Sequence, residues 1–146
     1  FDKILLSPGP GIPEEAGIMQ DLIKRYGPTK SILGICLGHQ GIAEVYGATL
    51  YNMKQVLHGV DSEISLLDED ELLFRGISKQ TSVGRYHSWA VVPTSVNGDL
   101  KITATDGEQE VMGIRHKTYD VAGLQFHPES VLTPDGKRMI RNWIEN

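Results

Sequence analysis

One cysteine, Cys36, stands in Gly34-Ile35-Cys36-Leu37-Gly38-His39-Gln40 at the end of the run Ser31-Ile32-Leu33-Gly34-Ile35. Glycines two places before and two places after a nucleophile are the spacing of a strand-to-helix elbow, a turn so sharp that side chains there would collide. Such a turn pushes the sulfur out at the end of the strand. It also aims the first N–H groups of the next helix at the same space, where their partial positive charge favours a thiolate and then an oxyanion. A lone cysteine is ordinarily a small, inert core residue. The two glycines make this one a candidate nucleophile.

A thiol nucleophile needs a base and a group to orient that base. The chain has five histidines, His39, His58, His87, His116 and His127. In Leu124-Gln125-Phe126-His127-Pro128-Glu129, His127 has a carboxylate two residues on. Residues two apart in an extended segment project to one side, so Glu129 is expected to hold one imidazole nitrogen while the other takes the thiol proton. Pro128 is expected to stop the strand between them. The candidate triad is therefore Cys36, His127 and Glu129. His116, between Arg115 and Lys117, reads as a solvated loop residue, His39 as a first-turn residue facing solvent or a partner, and His58 and His87 as structural when taken alone.

A buried strand, Ile4-Leu5-Leu6, runs into Ser7-Pro8-Gly9-Pro10-Gly11-Ile12-Pro13, a loop too rich in Gly and Pro for helix or strand. It is not a phosphate-binding loop, because no Gly-Lys-Ser/Thr follows, and it lacks the dinucleotide G-x-G-x-x-G spacing. Glycines let backbone approach a substrate. In an open α/β sheet this loop and the Cys36 elbow would converge at the carboxyl ends of neighbouring strands.

Taken together, Ser7-Pro8-Gly9-Pro10-Gly11, Gly34-Ile35-Cys36-Leu37-Gly38-His39-Gln40, Arg85-Tyr86-His87-Ser88 and Phe126-His127-Pro128-Glu129 resemble the triad-type (class I) glutamine amidotransferases over nearly the whole chain. Within that family the likeness is to the small subunits of anthranilate synthase and of aminodeoxychorismate synthase. The resemblance implies that Cys36 attacks the side-chain amide of glutamine, His127 shuttles protons and Glu129 orients His127. It implies an oxyanion hole from the backbone N–H groups of Gly9 and Leu37. Gly11, Gln40, Ser88 and Trp89 would hold the amino-acid end of glutamine, with neither metal nor cofactor. Ammonia would pass to a large chorismate-binding synthase subunit, with His39 and His58 near the contact; Val56-Leu57-His58-Gly59 resembles a family segment facing the synthase. Anthranilate synthesis is the first expectation, para-aminobenzoate synthesis the second. A partner-independent cysteine hydrolase and a non-catalytic binding module are further alternatives. Family members open with another strand, helix and strand, so a β-α-β portion is expected to be missing before Phe1.

The elements that must position these residues follow from periodicity. Pro13, then Glu14 and Glu15, opens a helix with Met19, Leu22, Ile23 and Tyr26 on its apolar face, ended by Gly27-Pro28. The elbow strand and its helix follow, so an α/β fold with a mainly parallel open sheet flanked by helices is expected. From Thr49 onward short apolar runs predict strands at Glu63–Leu67, Ser82–Tyr86, Ala90–Val92, Leu100–Ala104, Glu110–Arg115 and Val121–Phe126, some of them antiparallel additions. Asp68-Glu69-Asp70-Glu71 reads as a solvated turn. Thr133-Pro134 is expected to cap a last helix bearing Met139, Ile140, Trp143 and Ile144.

Residues 1–146 read as one domain, 40% hydrophobic and 23% charged. Lys plus Arg number 14 against 19 acidic residues, a formal net charge of −5, with no basic block; nucleic acid is not an expected partner. No run approaches the roughly 20 apolar residues of a membrane span. One cysteine precludes an internal disulfide and suits a reducing cytoplasm.

Overall fold

The structure, a computed structural model, describes residues 2–7, 13–54 and 57–146, without the side chains of residues 13–16. Twelve elements follow in order among them: β1 (Lys3–Leu6), α1 (Pro13–Tyr26), β2 (Ser31–Ile35), α2 (Leu37–Val45), β3 (Leu50–Asn52), β4 (Val60–Leu66), β5 (Gln80–Arg85), β6 (Trp89–Val91), β7 (Leu100–Asp106), β8 (Val111–His116), β9 (Val121–Leu124) and α3 (Gly136–Ile144). The main sheet runs β1-β2-β9-β8-β7-β4-β5, and β3 pairs with β6 in a separate ribbon.

The expected parallel sheet is the part that carries the site. β1 pairs with β2 and β2 with β9 in parallel, while every pairing from β9 outward to β5 is antiparallel. By strand pairs the antiparallel additions are the larger part, because short turns rather than helical crossovers join β7 to β8 to β9, and the longer connection after β4 returns β5 antiparallel beside it. β2 is buried on both faces, as a strand covered from two sides must be. Leu33 and Ile35 enter one core with Leu124, Phe126, Met139 and Trp143. Ile32 points the other way, into a core with Leu6, Ile23 and Ile42 from β1, α1 and α2. α1 turns on its expected stripe, with Ile23 buried and Met19, Leu22 and Tyr26 packed around it, and the Gly27 N–H closes it on the Ile23 carbonyl.

Two glycines bring α2 down onto the sheet. A Cβ on Gly34 would stand 2.5 Å from the Gly38 carbonyl carbon, and one on Gly38 would stand 2.4 Å from the Leu6 carbonyl oxygen. Gly38→Ala is therefore expected to lift α2 away from β1. A cost of about 1–3 kcal/mol is expected, as for other overpacked interiors, with loss of activity. Urea unfolding would check this, and a wild-type midpoint would contradict it.

Three expectations change. α3 begins at Gly136 with Asp135 as the residue before it, so Thr133 does not cap it. The Thr133 hydroxyl instead accepts from the Gly84 N–H at 2.8 Å and donates to the His127 carbonyl at 2.7 Å. Ile144 is exposed at the end of the helix, outside the stripe formed by Met139 and Trp143. Glu71 is buried and paired with Arg115, whose side chain also reaches Asp120, so the acidic run is solvated only in part. No helix among the described residues is long and apolar enough to cross a membrane.

Candidate active site

Cys36 has φ 53°, a left-handed backbone that a side chain adopts only when its surroundings force it. What forces it is visible on both sides: the Cys36 N–H still donates to Leu124 of β9 at 2.8 Å, while the Cys36 carbonyl already accepts from Gln40 N in α2. The last sheet bond and the first helix bond thus share one residue. α2 has no side-chain cap and no acidic residue in its first turn, so no side chain competes for its leading N–H groups. This is the elbow that the glycine spacing predicts.

A cleft of about 620 Å³ opens beside it, lined by Cys36, Leu37 and Gln40 from the elbow, Tyr86 to Ser88 from the β5–β6 connection, Trp89 at the start of β6, and His127 and Glu129 to Val131 from the segment after β9. The cleft brings together all three candidate triad residues. His127 Nδ1 and Glu129 Oε1 are 2.5 Å apart, which leaves Nε2 as the nitrogen free of that carboxylate. The pairing does not arise as expected from strand alternation. β9 ends at Leu124, and His127 lies in a turn in which the Ser130 N–H donates to the His127 carbonyl at 3.2 Å. His127 is held from three further sides. Its N–H donates to Gly84 at 3.0 Å, its carbonyl takes the Thr133 hydroxyl, and the Tyr86 ring stands edge-on to the imidazole with centroids 4.9 Å apart. Glu129, by contrast, is 64% exposed.

Burial pushes the Cys36 thiol up to about 11; the Leu37 backbone N–H pulls it down, and the charge of Glu129 raises it again. At rest Cys36 is a thiol, and to act as a nucleophile it would have to give its proton to a base.

The other expected site residues divide. Gln40, Ser88 and Trp89 line the cleft. The Trp89 carbonyl accepts from Gln40 Nε2 at 2.9 Å and pairs with His87 Nδ1 at 2.8 Å. Both its lone pairs are thereby used, and it is a wall rather than a free acceptor. Gly9 and Gly11 lie outside the described residues; of the two expected oxyanion donors, Leu37 lines the cleft. His58 is exposed. His39 is not: it is fully buried with its ring against Gly123 of β9, where a Cβ would meet Nδ1 at 2.8 Å. It is a packing residue between α2 and the sheet and presents nothing to a partner. His116 is also buried rather than solvated. It stacks on Tyr119, with Tyr46 at its edge, and its Nδ1 accepts from the Thr118 and Tyr119 N–H groups.

Two supports of the site have no signal in local spacing. Arg85 is buried against Asp106 at 2.6 Å and donates from Nε to His87 Nε2 at 3.1 Å, so His87 carries its proton on Nδ1. The chain Asp106–Arg85–His87 thus ends on the Trp89 carbonyl and fixes the β5–β6 wall. Gln125, buried with its amide nitrogen 3.7 Å from Cys36 Sγ, is the other.

Burial lowers His39 to about 3 and His87 to about 4 from the ordinary 6.5, with the Arg85 charge adding to the latter. Both stay neutral in the fold, so below pH 6.5 the unfolded chain binds more protons than the folded one. Their stabilising contribution is complete above 6.5 and is lost as pH falls toward 4 and 3. Each proton adds a slope of up to about 1.4 kcal/mol per pH unit. Urea midpoints measured against pH would check this, and a flat profile from neutrality to about pH 5 would contradict it.

A family model for class-I glutamine amidotransferases matches residues 1–146. The chain is 42% identical over 142 residues to aminodeoxychorismate synthase component 2 of Escherichia coli, covering 97% of this chain and 75% of that protein. It is 40% identical over 144 residues to the aminodeoxychorismate/anthranilate synthase component 2 of Bacillus subtilis, covering 99% and 73%. A solved Thermoplasma acidophilum structure, assigned to GMP synthase, superposes with a TM-score of 0.85 at 31% identity, covering 99% of this chain and 71% of that one. This chain belongs to the class I glutamine amidotransferase family.

Proposed function

We propose that the chain is the glutaminase component of a chorismate-using synthase. The observation that carries this reading is the strained Cys36 elbow facing the His127–Glu129 pair across one cleft. In the reaction, His127 Nε2 takes the thiol proton as Cys36 Sγ attacks the glutamine side-chain carbon. The oxyanion is held by the N–H of Leu37, with Gly9 as the second donor. His127 then returns the proton to the departing nitrogen, ammonia leaves, and water cleaves the glutamyl thioester to glutamate. Gln40, whose two amide hydrogens are engaged by Trp89 and Gln125, offers its oxygen to the substrate's ammonium group. Gly11 and the N–H groups of Ser88 and Trp89 complete the glutamine site.

A second protein fits the rim of the cleft, where Leu37, Tyr86, Trp89 and Val131 are all large, apolar and exposed. Apolar side chains gathered at one mouth favour a partner that covers it, against a partner-independent hydrolase. With His39 buried, the exposed His58 is the remaining histidine we assign to that contact. The acceptor is chorismate on a large synthase subunit. Anthranilate is the first assignment for the product and aminodeoxychorismate the second, since both occur in the relatives' names. The single reactive thiol suits a reducing compartment, and the cytoplasm is the one we assign.

The test is ammonia release from glutamine with and without the co-purified large subunit, followed by identification of the product made from chorismate. Glutamine hydrolysis that rises when the large subunit is added is expected. Hydrolysis of other amides in preference to glutamine, with no response to any chorismate-binding subunit, would overturn the reading.

A further inference from the structure

Gln125 follows β9, two residues before the base, and its side chain is fully buried. Which end of that amide faces the sulfur can be deduced from its neighbours. The Trp89 carbonyl can only accept, so the Gln40 atom 2.9 Å from it must be the amide nitrogen. The same Gln40 nitrogen lies 3.2 Å from one end of the Gln125 amide, and that end must therefore be the oxygen. The Gln125 nitrogen is then the atom 3.7 Å from Cys36 Sγ. On the other side the sulfur has the Tyr86 carbonyl at 4.0 Å, an acceptor suited to the thiol form alone.

We propose that Gln125 is a positioning residue for the nucleophile. Its side-chain N–H donates to Cys36 Sγ, holds the sulfur at the elbow and favours the thiolate over the thiol. An N–H donor gains more from a charged sulfur than from a neutral one. It therefore opposes both the burial and the Glu129 charge that disfavour ionisation of this thiol. The donor direction is set through Gln40 by the Trp89 carbonyl. The cleft wall and the reactivity of the sulfur are coupled through one chain of hydrogen bonds.

The inference rests on Cys36 being the nucleophile, and the experiment separates the two claims. Gln125→Met keeps the length of the side chain and removes the donor. The rate of Cys36 alkylation by iodoacetamide, followed by mass spectrometry at several mildly alkaline pH values, is expected to fall about tenfold, a displacement of about one pH unit. Glutaminase kcat should fall with it while KM for glutamine moves less than about twofold. Unchanged alkylation rates with only a lowered unfolding temperature would show a merely structural role and overturn the proposal. If Gln125→Met alone does not fold, the double variant Gln125→Met/Gln40→Met removes both buried amides together, so that neither is left without its partner. A wild-type iodoacetamide rate there would overturn the proposal equally. Failure of the nucleophile assignment looks different, since a glutamine-like electrophile would then leave Cys36 of the wild type unlabelled.

Discussion

Cys36→Ser is expected to lower glutamine-dependent product formation by at least about a thousand-fold in the complex with the large synthase component, while ammonia-dependent formation stays near wild type. The physical reason is that, in the proposed mechanism, Cys36 makes and breaks bonds only to glutamine. The serine hydroxyl fits the elbow, so the backbone at φ 53° and the N–H donors behind it are retained. It is a far weaker nucleophile than a thiol whose proton His127 removes. A steady-state assay with each nitrogen source checks this. Equal loss with glutamine and with ammonia would make Cys36 a structural residue and dismantle the mechanism.

His127→Ala is expected to cost about two to four orders of magnitude in glutaminase kcat, the usual range for a general base. The thiol is pushed to about 11 at rest, so a negligible fraction is ionised without that base. Glu129→Ala is expected to cost clearly less. Its carboxylate is 64% exposed, and His127 keeps its place through Gly84, Thr133 and Tyr86 even without it. Parallel kinetics of the two variants decide the order. A Glu129→Ala loss equal to that of His127→Ala would mean that the carboxylate does more than orient the ring.

The parts of this site that could be read from the sequence are those whose cause is local. Gly34 and Gly38 bracket Cys36 because a strand-to-helix turn has no room for two Cβ atoms, a constraint that lies wholly within five residues. The boundaries of α1 and β2 follow in the same way from Pro13, Gly27 and a short apolar run, while β8 lies one residue on from the run that predicts it. Where the cause is distant, local spacing misleads. Glu71 looks solvated until Arg115, 44 residues on, is packed against it. His116 looks like a loop residue until Tyr46 closes over it. His39 sits on the first turn of a helix whose polar-looking face is pressed onto Gly123, so exposure inferred from position in the helix is wrong. The His127–Glu129 pair was legible for a different reason from the one that holds it, because a turn brings together the same two residues that strand alternation would. Gln125 carries no sequence signal of its role, which exists only through Gln40 and Trp89.

The most direct test of the central claim is covalent trapping. Wild-type protein treated with a glutamine-like electrophile, then digested and mapped by mass spectrometry, should carry one adduct on the peptide containing Cys36. Free glutamine should protect that residue, and His127→Ala should slow its formation. An adduct on another residue, or none while glutamine hydrolysis proceeds, would contradict the account.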